Sequence, residues 1–188
     1  MPFPSYKSMK QSESSSEIII FIGSIVISLL ILAGLAETNL YVVKTLEGTR
    51  HQLSLWNGKS CNIEGCLSQT LPPAEWCGER RSLYIAMQVI SVISLVGSLF
   101  LLASSVLSVV AVKTRCVDIL WSVSAFLTWL ILMLDWSIMA GIFHSKACSN
   151  PSFSEINYQY GVSFSLFLMS WLFLTVMIIY SVIVRSCD

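Results

Sequence analysis

The chain has 188 residues, of which 55% are hydrophobic and only 12% charged, against roughly one quarter charged in soluble domains. Eleven basic and eleven acidic side chains leave a formal net charge of zero; without a run of like charge there is no basic patch for nucleic acid and no field to steer a charged partner. The apolar residues are gathered into long blocks, the arrangement a bilayer selects.

Residues 1–17 are rich in serine and carry Pro2 and Pro4, a composition unable to bury a core. A disordered cytoplasmic tail is expected, and Pro2 in place of glycine excludes myristoylation at the start. The first apolar block, residues 18–36, ends at Glu37. A spanning helix needs about 20 apolar residues, and this run exceeds the roughly 7 to 15 of a signal-peptide core. A retained anchor is therefore expected; Gly34 and Ala36 define the alternative, cleavage that would leave three spans.

Residues 37–82 form the larger of two predicted outer loops. Strand-like residues at 39–43 and alternation over 52–56 predict a small sheet there. The second block, 83–112, is free of charge; the third, 117–143, holds Asp118 near its start and Asp135 inside; a short loop, 144–160, leads to the uncharged fourth, 161–184, and a tail, 185–188. Within lipid each backbone polar group must be satisfied inside its own segment, and these blocks are too long and too uniformly apolar for barrel strands. The predicted fold is an all-α membrane bundle of four transmembrane helices with a small extracellular loop sheet. Blocks two and three exceed the hydrocarbon thickness, so tilt or protruding ends are expected. Ser24, Ser28, Ser94, Ser98, Ser104 and Ser108 mark places where helices approach closely, either within one bundle or at a dimer face.

Four crossings put both termini on one side. Lys7, Lys10, Lys113, Arg115 and Arg185 favour the cytoplasm for that side, whereas Lys44, Arg50, Lys59, Arg80 and Arg81 of the first loop pull the other way. Cysteines decide better: Cys61, Cys66, Cys77 and Cys148 lie in the two loops that share a side, and disulfides persist outside the cytosol. Both termini are thus expected in the cytoplasm. Four cysteines allow three pairings, and a zinc site with His51 or His144 is the alternative use of the thiols; otherwise these histidines read as solvent-exposed loop residues. Cys116 and Cys187 fall on the cytoplasmic side, as free or palmitoylated thiols. No N-glycosylation acceptor is present, since Asn150 precedes Pro151.

Asp135 is the informative polar residue, because an ionised aspartate at a helix centre costs about 2.5 to 3.5 kcal/mol on the insertion scale. Gln88 and Glu37 are expected at similar depth, and all three form the intramembrane polar set. Trp129 and Trp136, seven apart, share a helix face and read as packing residues; Trp56 reads as loop architecture at the interface or as a contact for a partner. No paired acids, nucleophile with base, or metal-ligand motif is present, so no enzyme, cofactor or metal is expected. The expected partners are the lipid bilayer and a lateral copy of the chain.

The stretch QLSLWNGKSC at residues 52–61 resembles the signature of the amastins, four-span surface proteins of kinetoplastid parasites, which runs roughly C-x-[TS]-[LF]-W-G-x-[KRQ]-x-x-C. Ser54, Leu55, Trp56, Lys59 and Cys61 lie on it, with Gly58 displaced by one. Gln52 stands where the family has its first cysteine, which leaves Cys66 or Cys77 as another partner for Cys61. CGERR at 77–81, WSIMA at 136–140 and YGVSF at 160–164 extend the similarity over residues 53–184. The layout is also similar to the claudin and peripheral-myelin group; tetraspanins, with their large loop between spans three and four, match less well. The resemblance implies a non-enzymatic protein of the plasma membrane or a vesicle surface, active in surface organisation, adhesion or host contact, and through it alone a host-surface protein enters as a partner. The alternative from the residues is a small transporter, channel or lipid-handling protein that uses Asp135.

Overall fold

A computed structural model describes residues 6–44, 50–62, 65–73, 76–110, 115–146 and 151–187. Four long helices dominate: α1 (Tyr6–Ala36), α2 (Gly78–Val110), α3 (Arg115–His144) and α4 (Val162–Cys187). Each contains a stretch long and apolar enough to cross a bilayer. Helix α1 packs on α2 and α4, and α3 packs on the same two, so the helices form a ring in chain order.

The side chains are sorted for lipid. Outward positions carry large apolar groups such as Ile22, Leu29, Phe100, Phe126, Val176 and Val182, each more than half exposed. Small hydroxyl residues turn inward: Ser24, Ser28, Ser91, Ser94, Ser98, Ser104, Thr128 and Ser170 are all buried. Lipid tails offer helices no hydrophobic reason to associate, so close packing of small residues and hydrogen bonds between helices carry the association. Ser28 donates to the Ser98 carbonyl at 3.2 Å across α1 and α2, and the Ser104 and Ser124 hydroxyls meet at 3.0 Å across α2 and α3. Ser28, Ser98, Ser104 and Ser124 thus bond helices to one another within the bundle. Between α2 and α3 an apolar groove of about 340 Å³, bounded by Val96, Phe100, Val123 and Leu127, opens on the lipid-facing side.

Two helix starts lie well before the expected positions. Residues 6–17, expected to be a disordered tail, continue α1. No proline or glycine lies between Tyr6 and Ile22, and adding residues to an existing helix avoids the cost of nucleating one. Helix α2 starts at Gly78 instead of 83; its 33 residues reach about 50 Å at 1.5 Å per residue, well beyond the hydrocarbon. Cys116 is a free, exposed thiol in the first turn of α3, at the end of the bundle where α4 finishes with Cys187.

At the opposite end sits a five-stranded antiparallel sheet: β1 (Tyr41–Lys44), β2 (Arg50–Leu53), β3 (Asn57–Asn62), β4 (Gly65–Thr70) and β5 (Gln159–Tyr160), in spatial order β4-β3-β2-β1-β5. The strand expected at 52–56 ends instead at Leu53. There Ser54 Oγ accepts from the backbone N–H of Trp56 at 3.1 Å and of Asn57 at 2.8 Å, a local turn that competes with strand pairing. Because β5 comes from the second connector, the sheet ties both connectors into one layer.

Candidate functional site

The four stretches that carry the family resemblance converge where the sheet meets the helix ends. In the first, Leu55 is fully buried and Ser54 nearly so. Tyr84 of α2 donates its hydroxyl to the Ser54 carbonyl, and Gln88, one turn on, donates to the carbonyls of Leu55 at 2.6 Å and Leu71 at 3.1 Å. Helix α2 thus satisfies backbone acceptors that the turn leaves open. The Trp56 indole is 41% exposed, and its N–H donates to the Leu35 carbonyl at the end of α1, 3.2 Å away. One side chain therefore anchors the turn to α1 while leaving part of its ring outside. Gly58 and Lys59 continue along β3 to Cys61.

Cys61 is bonded to Cys66, directly opposite it in the β3–β4 register. That bond closes the hairpin locally in a chain with Gln52 at the family's first cysteine position; Gln52 itself pairs with Val42 and Lys59. Cys77 is also disulfide-bonded; Cys148 lies outside the described residues. Cys61, Cys66 and Cys77 are thus engaged in disulfides, and among the described residues no group of three or more His, Cys, Asp or Glu is placed to hold a metal ion.

In the second stretch, Arg80 donates to the Pro151 carbonyl at 2.9 Å and lies 4.9 Å above the Phe153 ring, pinning the second connector to α2. In the third, the Met139 carbonyl accepts from the Tyr41 hydroxyl at 2.6 Å. In the fourth, Gly161 N–H donates to Leu40 O at 2.7 Å and Ser163 N–H to Asn39 O at 3.1 Å. A Cβ on Gly161 would run into the Asn39 carbonyl, so glycine is what permits this approach.

An aromatic cap fills the same junction. Tyr41, fully buried, lies 5.4 Å from the rings of both Phe143 and Phe153, and Tyr160 stacks on Phe143 at 4.1 Å and on Phe164 at 4.2 Å. Burial, with smaller contributions from Tyr84 and Tyr160, holds the Tyr41 phenol well above its ordinary pKa. Burial likewise raises Tyr158 and Tyr160. Where the connector rejoins water, Glu155 pairs with Lys146 at 2.6 Å, and that hydrogen bond lowers its pKa; such exposed pairs add little stability. His144 reaches the Tyr160 hydroxyl at 3.2 Å, while His51 lies half-buried on β2.

Of the three polar residues expected at one depth, only Asp135 is enclosed by the bundle. Its oxygens accept from Ser91 at 2.8 Å and Ser94 at 3.0 Å, and the residue is fully buried. Gln88 is occupied by the turn, and Glu37 accepts from Thr38 N–H and the Asn39 amide just past α1. Neither is a partner of Asp135. Ser91 was not singled out in the sequence; a serine spaced i, i+3 from Ser94 on the inward face of α2 was the available signal. Trp129 and Trp136 both pack on Trp171 of α4, at 5.8 and 5.6 Å, and Trp129 donates to Thr175.

A second cavity of about 200 Å³ opens between the sheet and the second connector, bordered by His51, Ser60, Gln69, Trp76 and Tyr158 among others. Asp135 lines neither this cavity nor the lipid-facing groove.

A family model described as amastin surface glycoprotein matches residues 25–180. No curated protein matches the chain.

Proposed function

The chain belongs to the amastin surface glycoprotein family, and from that premise we propose that it is a non-enzymatic, multi-pass protein of the plasma membrane that holds its sheet outside the cell for adhesion, lateral assembly or host contact, with both termini in the cytoplasm. The observation that carries this reading is the fixed placement of the disulfide-closed β3–β4 hairpin on the bundle by Trp56, Tyr84 and Gln88. Rigid presentation lowers the ordering cost of binding. Strand β4 is exposed along its whole length, with Leu67 78% exposed, and an exposed apolar side chain on a sheet edge suits a protein contact.

Sidedness is tested by membrane-impermeant amine labelling of intact cells: Lys59 is expected to react and Lys113 to be protected, and the reverse pattern would overturn the orientation. Contact is tested by crosslinking in the native membrane with Trp56→Ala, Leu67→Asp and the Cys61→Ser/Cys66→Ser double substitution. Crosslinked partners are expected to be lost while surface delivery persists; unchanged partner capture by all three variants would remove the hairpin from the function.

A second reading rests on Asp135, an acid enclosed in the bundle with two serine hydroxyls as partners. Enclosed intramembrane acids often serve transport. On that reading, flux or lipid transfer by purified protein in liposomes disappears in Asp135→Asn; equal flux in both proteins rejects it.

A further inference from the structure

Cross-strand pairing builds the floor of the cavity beside the second connector. His51 faces Ser60 and Ser60 faces Leu67; Leu53 faces Gly58 and Gly58 faces Gln69. Alternation along each strand brings these two rows onto one face of the sheet. Gly58, on the central strand of this group, adds no side chain to the floor; the atoms nearest to a Cβ there would belong to Leu53 and Leu71, at 3.4 and 3.7 Å. Leu71, Pro73, Trp76 and Tyr158 rise as walls.

The polar groups bordering this space are not used by the protein. Among the described residues the side chains of His51, Ser60 and Tyr158, all half-buried, and of Gln69, exposed on β4, have no hydrogen-bond partner within the protein. They supply an imidazole, a hydroxyl, a carboxamide and a phenol, all able to donate and accept except where the imidazole tautomer fixes one role. No carboxylate borders the cavity; Lys59, between Gly58 and Ser60 on β3, borders it as well, and alternation along the strand turns its side chain toward the opposite face. Across from the polar groups stand Leu53, Leu71, Pro73 and the indole of Trp76.

We propose that this crevice binds one uncharged sugar ring of a glycan, its hydroxyls taken by His51, Ser60, Gln69 and Tyr158 and its apolar C–H face laid against Leu71 and Trp76. A pyranose presents those two faces together, and the volume of about 200 Å³ is below the range of drug-sized pockets, roughly 300 to 1,000 Å³. The site gives the proposed surface contact a ligand class and rests on that reading only for its biological setting.

The test uses the full chain in phosphatidylcholine nanodiscs, against neutral and acidic oligosaccharides displayed on a polymer so that weak single-site binding is amplified. Because both nanodisc faces are open, the result does not depend on sidedness, which the labelling experiment decides separately. Binding of a set of neutral glycans sharing one terminal ring is expected, with competition by the free monosaccharide. Ser60→Ala and Gln69→Ala are each expected to weaken it roughly tenfold, the order that loss of one hydrogen bond to a buried ligand group produces, with unchanged thermal unfolding. A second arm with glycolipid in the nanodisc separates sources: binding there but not to polymer places the sugar on a neighbouring lipid and upholds the site. Retention of no neutral glycan in either arm, retention of acidic glycans alone, or binding indifferent to both substitutions overturns the proposal.

Discussion

Asp135 is enclosed by residues that have other hydrogen bonds to fall back on. Ser91 Oγ lies 2.9 Å from the Met87 carbonyl and 2.8 Å from Asp135; Ser94 Oγ lies 3.0 Å from both the Ile90 carbonyl and Asp135. Each hydroxyl carries one proton, so it serves one acceptor at a time. An asparagine at 135 can accept from one serine and donate to the other without the cost of a charge in lipid. Asp135→Asn is therefore expected to shift stability by no more than about 1 kcal/mol, read as a thermal midpoint in detergent. A loss several times larger would mean that the carboxylate itself holds the bundle together. The acid was visible in the sequence because charge inside an apolar block is conspicuous; its partners were not, because which serine faces it depends on how α2 and α3 are rotated against each other.

Among the elements, the junction of β5 with α4 is the least forgiving. Gly161 lets the chain pass close enough for two backbone hydrogen bonds to Asn39 and Leu40, and Ser163 adds one to the Gly34 carbonyl. Gly161→Ala must push the Asn39 carbonyl aside, a cost of about 1 to 3 kcal/mol by analogy with overpacked cores. The expected result is a lower unfolding midpoint and faster amide exchange at Tyr41 and Val42, with α2 unaffected; wild-type exchange in β1 would contradict it. The helices were legible because hydropathy over some twenty residues outweighs local detail. The strands were legible only in part: residues 39–43 carry β-branched and aromatic signal, whereas the turn at Ser54 depends on a single hydroxyl and β5 on a partner more than a hundred residues away. Nothing periodic announces either. The helical start at residues 6–17 was hidden for a different reason, since serine composition reports a missing core and says little about propagation from a helix already formed.

For the molecule as a whole, the aromatic cap joins the sheet, both connectors and three helix ends, so its ionisation state bears on the assembly. Tyr41 is held neutral in the fold by burial, whereas in an unfolded chain a phenol ionises near pH 10. The stabilisation that follows is complete below about pH 10 and declines as the pH rises toward the folded value. Unfolding midpoints are accordingly expected to fall on passing from about pH 9 to 11, and less steeply in Tyr41→Phe, which gives up the Met139 hydrogen bond but cannot ionise. Equal slopes in the two proteins would acquit Tyr41. The family description includes the word glycoprotein, yet the sequence offers no N-linked acceptor; peptide N-glycosidase is expected to leave the electrophoretic mobility unchanged, and a shift would reveal attachment at a sequence outside the usual rule.

The grip of Tyr84 and Gln88 on the turn also has a mechanical side. Both donors sit in the first third of α2, a single rod running from the sheet to the far end of the bundle. A tug on the hairpin by a tethered neighbour is therefore delivered to that rod as tilt or rotation, and the far side of the membrane receives the load through one lever.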